Sequence, residues 1–144
     1  MDFGADFKTK LKAESTVTAV VGTTTSARIY PDVLKLNADL PAIVYGEVGG
    51  GESYEYLAGP LGVAETLMMV TCYAATRAAA NSLAEIVRVA LQGPVHTEWG
   101  DSYVSSVTCI QHRSTGVDWS ADKQSIKRWW TKRAYRVFHE EATA

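Results

Sequence analysis

Cysteine is nearly absent from this sequence, represented only by Cys72 and Cys109. The two lie far apart and each sits inside an apolar run, so they read as reduced core residues rather than as a disulfide or a metal pair. Long apolar runs are missing too. None approaches the ~20 residues that a membrane-crossing helix requires, so no membrane partner is expected. The opening residues Met1-Asp2-Phe3-Gly4-Ala5-Asp6 lack the basic and then apolar regions of a signal peptide, and the chain is expected to remain in the cytoplasm where it is made. A net charge of -2 gives no overall pull toward nucleic acid or anionic membranes. Repeats, low-complexity tracts and interdomain linkers are absent as well. With 47% hydrophobic and 21% charged residues, the composition is that of a globular protein and excludes a disordered or fibrous chain. A chain of 144 residues suffices for one domain, residues 1–144, around one core.

Catalytic signatures are equally scarce. His96, His112 and His139 are scattered in or beside apparent loops, with no spacing that puts two on one face of an element, so they read as solvent-exposed rather than metal-binding. Gly49-Gly50-Gly51 is followed by strand-like sequence rather than by the helix start a phosphate loop needs, and reads as a turn. Val21-Gly22-Thr23-Thr24-Thr25 lacks the lysine and second glycine of a P-loop, and its hydroxyls have no evident base partner. Glu52 and Glu55 fall in an apparent hairpin rather than a pocket. No enzyme activity, cofactor or metal is expected.

What is present is periodicity. Phe3, Phe7 and Leu11, with lysines between them, predict a short amphipathic N-terminal helix. Ser15 could cap a second helical turn carrying Val17, Val20 and Val21, ended by Gly22. Ile29-Tyr30 before Pro31 predicts a brief extended segment, and Asp32 to Leu40 a surface loop. Strands are predicted from Ala42 to about Val48, from Glu52 to Leu57, and from Thr66 to Tyr73, with turns at the triple glycine and around Gly59-Pro60 and Gly62. The Thr66–Tyr73 run is apolar on both faces, which predicts a central, covered strand. Arg77 to Gln92 is the clearest helix: Ala79, Leu83, Ile86, Val87, Ala90 and Leu91 form one stripe, Thr76 is placed to cap it, and Gly93-Pro94 to stop it. Two strands follow, Tyr103 to Gln111 and Trp129 to Phe138, with a polar stretch between them. In the first of these, Val104 and Ile110 should share one face and Val107 and Cys109 the other. The expected fold is α+β: an antiparallel sheet of about five strands, with the long helix on one face and the short N-terminal helix beside it. Leu83, Ile86, Val87, Leu91, Val44, Met69, Val70 and Val137 are the expected core.

Charge is unevenly spread. Acids dominate from Asp39 to Asp101, opposed only by Arg77 and Arg88. Lys123, Lys127, Arg128, Lys132, Arg133 and Arg136 then crowd the end of the chain, interleaved with Trp129, Trp130 and Tyr135. Three readings stand: a nucleic-acid surface, a strand whose aromatics pack while its cations stay solvated, or a basic face that meets the acidic face of a neighbouring copy. On the last reading the candidate interface residues are Glu47, Glu52, Tyr54, Glu55, Tyr56, Lys127, Arg128 and Arg133.

These segments, in this order, resemble the small tail-completion proteins of siphophages and related prophages. The resemblance is carried by Val17-Thr18-Ala19-Val20-Val21-Gly22, Arg28-Ile29-Tyr30-Pro31, Leu40-Pro41-Ala42-Ile43-Val44-Tyr45, the hairpin tip Leu57-Ala58-Gly59-Pro60, Val70 to Thr76, the helix Ala79 to Leu91, and Tyr135-Arg136-Val137. The chain departs from the family pattern at Gly93 to Asp101 and at Ser114 to Trp130, which is more basic and richer in tryptophan. The resemblance implies a homo-oligomeric ring, typically of six subunits, at the head-proximal end of the tail within the virion. Such a ring, assembled in the host cytoplasm, would bind the last ring of the tail tube protein, halt tube growth and join the head-tail connector protein. DNA would pass through it without sequence-specific binding. A head-side connector protein and a small nucleic-acid-binding module on the basic C-terminal strand are the alternatives.

Overall fold

The structure is a computed structural model and describes residues 3–22, 27–34, 39–56, 59–92, 97–100, 102–119 and 127–140. Three helices come from three sequence patterns. Helix α1 (Phe3–Ala13) buries Phe3, Phe7 and Leu11 at the predicted four-residue spacing. Helix α2 (Ser15–Val21) buries Val17 and Val21. Glu14 rather than Ser15 holds its N-cap position, and Gly22 ends it at φ 96°, a left-handed conformation that glycine adopts without steric cost. Helix α3 spans Arg77–Gln92. The Thr76 hydroxyl accepts a 3.2 Å bond from the Ala79 amide, the N-cap arrangement that satisfies an otherwise orphan donor. Gly93 and Pro94 lie outside the described residues.

Six strands form one sheet, β1 (Ile29–Pro31), β2 (Ala42–Tyr56), β3 (Gly59–Ala74), β4 (Thr97–Trp99), β5 (Ser102–Trp119) and β6 (Lys127–Glu140), in the order β1-β2-β3-β6-β5-β4. All neighbours are antiparallel except β1 and β2, which run parallel. The sheet is therefore mixed, larger than the five antiparallel strands expected, and curled into half a barrel. The triple glycine is not a turn. β2 runs straight through it, and the chain reverses between Tyr56 and Gly59, which pair with each other. Gly62, also expected in a turn, lies within β3. Register shifts at Glu47/Gly49 and Gly50/Glu52 absorb the glycines as bulges of β2, which bend a strand and raise its twist; a third, at Ser53/Glu55, puts the extra residues on β3.

A bulge also overturns the expected facing of β5. The shift between Val104 and Ser106 changes the side-chain parity, so Val104 and Val107 both enter the main core. Ile110 is exposed. β5 continues through residues 112–119, where the sequence offered only a polar stretch.

The helices cover one face of the sheet. α3 packs across β3, β6 and β5, and α1 and α2 extend the layer toward β4 and β2. Ile43, Tyr45, Met68, Val70, Cys72, Tyr135 and Val137 of the sheet meet Leu83, Val87 and Leu91 of α3 and Phe7 and Leu11 of α1 in one core. Ile86 is only partly buried at its margin. Val44 belongs to a second, smaller cluster with Leu34 and Ala42 on the opposite face, and Met69, expected in the core, is half-buried on that same opposite face. β3 is thus central but covered by helices on one side only. At the junction of α2, β1 and the segment entering β2, Arg28 donates to the Val20 carbonyl at 3.0 Å and to the Pro41 carbonyl at 2.7 Å. The Arg28-Ile29-Tyr30-Pro31 element is therefore a structural staple.

Candidate functional site

Alternation along β6 divides the basic C-terminal run between two faces of the sheet. Thr131, Arg133, Tyr135, Val137 and His139 point to the helices: Thr131 donates to Asn81 Oδ1 at 2.7 Å, and Arg133 bridges Glu85 at 3.0 Å. Glu85 is also held by Arg88, and hydrogen bonds from Arg88 first and Arg133 second draw its carboxyl below the usual carboxylate range despite burial effects that oppose it. Arg133 is consequently engaged within its own chain, which argues against a primary role at an interface. His139, expected on the surface, is buried, stacked on Phe3 with ring centroids 4.1 Å apart and hydrogen-bonded to Thr66 at 2.8 Å. Only its side of the strand, which sequence alone does not reveal, puts it in the aromatic cluster of Phe3, Phe7 and Trp99.

Arg128, Trp130, Lys132, Ala134 and Arg136 point the other way, onto the face without helices. There the cross-strand row Ala42, Tyr73, Trp130, Gly116 is set by direct register. Trp130 lies across β5 at Gly116, where a Cβ would fall 2.2 Å from the indole Cζ2. Glycine at 116 is what allows the ring to lie flat on the strand. Lys132 Nζ stands 4.7 Å from the Trp130 ring centroid, and the Arg128 guanidinium 5.5 Å from that of Tyr73. Farther along β6, Arg136 pairs with Glu65 at 2.6 Å. This face is an aromatic shelf bearing cations. Trp130 and Lys132 belong to the basic, aromatic run read from the sequence but not to its candidate interface residues, and Tyr73 and Gly116 were not singled out as site residues. The alternation of charged and aromatic residues in 128–132 carried the signal, but only the β3 and β5 registers bring Tyr73 and Gly116 to it.

The acidic candidates lie elsewhere. Glu47 is exposed beside a small polar depression lined by Asp32, Gly46 and Met68. Glu52, Tyr54, Glu55 and Tyr56 lie on the distal part of β2, with Glu52 opposite Glu65 and Tyr56 opposite Gly59; their side chains, and that of Lys127, lie outside the described residues. The β2–β3 hairpin runs past the last β3–β6 pair, Val63 with Glu140. The β5–β6 hairpin runs past Ala74 with Trp129, at the other end of the sheet. Acidic and basic candidates are thus separated, not brought together, within one chain.

Among the described residues no group of three or more His, Cys, Asp or Glu side chains is placed to hold a metal, and no helix is long and apolar enough to cross a membrane. Cys72 and Cys109 are not joined to each other. Burial pushes the Cys72 thiol up to about 12, slightly opposed by Arg133, which suits a packing residue and not a nucleophile.

The fold is shared with a virion component. A chain of the structure described as "Virion of native gene transfer agent (GTA) particle" superposes with a TM-score of 0.54 over 94% of this chain and 91% of that one, at 12% identity, which establishes a common fold. No curated protein sequence matches the chain. Residues 8–124 match the family described as Tail completion protein gp17, and the chain belongs to that family, a family of structural phage tail proteins.

Proposed function

We propose that the chain, acting as a single domain, forms a closed ring at the head-proximal end of a siphophage tail, ending tube polymerisation and joining tail to head. Family membership over residues 8–124 carries this reading. The fold shared with a chain of a gene transfer agent virion agrees with it and with a virion location. The work requires no bond chemistry. It requires a subunit with two unlike, complementary surfaces, because a ring of identical copies is built from heterologous contacts that close by rotation, and hairpins extending from opposite ends of the sheet are suited to supply them. The ring is proposed as a hexamer whose partners are itself, the tail tube protein and the head-tail connector protein, with DNA passing through unread. Electron microscopy of virions carrying a tagged copy should show one ring of tag at the head–tail junction. Tag along the whole tail or at its distal tip would contradict the assignment, and tag within the head shell would favour a head-side connector.

A nucleic-acid module is the less favoured reading. The Trp130 ring already covers Gly116 and carries Lys132, leaving little open aromatic face for a base to stack on.

A further inference from the structure

The structure assigns a specific docking partner to the uncovered sheet face: we propose that the cationic shelf of Arg128, Trp130 and Lys132 receives the acidic β2–β3 hairpin of the adjacent copy. This rests on the ring reading and gives it its contact. The first support is charge. Residues 40–76 contain no lysine or arginine, and beside Glu65, which Arg136 of the same chain holds, they carry Glu47, Glu52 and Glu55. On the shelf Arg128 stands opposite Asp118 in the β5–β6 register, and the net positive charge comes from Lys132, with which no carboxylate pairs among the described residues and whose ammonium rests on Trp130. The second support is distance. Glu52 lies opposite Glu65, eight residues up β3 from Tyr73 of the shelf, about 26 Å at ~3.3 Å per residue. A chain therefore cannot place this hairpin on its own shelf, and a second copy can. The third is polarity: with donor hairpin and acceptor shelf toward opposite ends of the sheet, the contact is head-to-tail, the kind that propagates until it closes. The split of the basic run by face makes the assignment selective. Lys132 and Arg128 belong to the contact, whereas Arg133, tied to Glu85 across the sheet, does not.

The test compares charge reversals in the full chain by sedimentation, with thermal melting as a check on folding. Lys132→Glu with Arg128→Glu should leave a folded protein whose half-dissociation concentration rises roughly tenfold or more. Arg133→Glu should leave the assembly unchanged. Adding Glu52→Lys and Glu55→Lys to the first pair should restore assembly, because every contact of the ring then carries inverted but matched charge. An oligomer that survives the Lys132 and Arg128 reversals overturns the shelf assignment while leaving the ring reading standing. A wild-type chain that stays monomeric at high concentration overturns both. Unchanged assembly together with loss of salt-sensitive DNA binding in the same variant overturns the proposal in favour of nucleic acid.

Discussion

Cys72 shows how a residue's surroundings decide its chemistry. Its side chain is 1% exposed, and burial raises its thiol from 9.0 to about 12. The folded state therefore holds the proton more tightly than the unfolded chain. Its contribution to stability is intact below pH 9 and is lost as pH rises from about 9 toward 12, because the unfolded thiol ionises first. Tyr135, raised first by burial and then by the nearby thiols, acts in the same direction from about pH 10. Stability measured by urea unfolding should accordingly fall between pH 9 and 11, by up to about 1.4 kcal/mol per pH unit for each such group. Cys72→Ala should flatten that slope. Labelling with a thiol reagent at pH 8 should modify Cys72 only after unfolding. A Cys72 that reacts at once in the native protein would contradict its burial. The burial of Cys72 was legible from the apolar run around it, whereas Cys109, expected in the core as well, is only partly buried at its margin. The burial of His139 was not legible, because it depends on which side of β6 the residue takes and on Phe3 closing over it, a contact between the two ends of the chain.

Among the elements, the helices were the readable part, since a helix declares its buried face through spacing along one segment. α3 follows its predicted bounds, and Leu83, Val87 and Leu91 are each no more than 1% exposed. Leu83→Ala should lower unfolding stability by about 2–5 kcal/mol, as measured by denaturant titration; a loss below 1 kcal/mol would mean that the helix does not anchor the sheet. The strands were less readable because glycines and bulges break the two-residue period. A bulge puts Val104 and Val107 on one face, and two more let β2 pass through Gly49-Gly50-Gly51. Strand β4, three residues long, carries too little pattern to declare itself; β1 was legible as a brief extended segment before Pro31, but not the parallel pair it adds, which makes the sheet mixed. Arg28 ties β1 to its neighbours through charged hydrogen bonds to two carbonyls from different segments. Arg28→Ala should cost about 2–3 kcal/mol. Arg28→Lys should recover only part of it, because an ammonium cannot reproduce the guanidinium fork. Equal stability of wild type and Arg28→Ala would remove the staple from the account.

For the whole molecule, sequence order alone was enough to suggest the family, because its segments follow one another along one chain. The interface was harder to read. Acidic and basic stretches were visible as composition, but their separation toward opposite ends of the sheet, and the division of Arg128 and Lys132 from Arg133 across it, arise from strand pairing between distant segments. In the proposed ring, the acidic and basic candidate surfaces that one copy holds apart would meet between neighbouring copies. The most direct test of that account is electron microscopy of particles made by a phage lacking this gene. Tails of uncontrolled, excessive length, or tails that fail to attach to filled heads, are the predicted result. Tails of normal length joined to heads would contradict it.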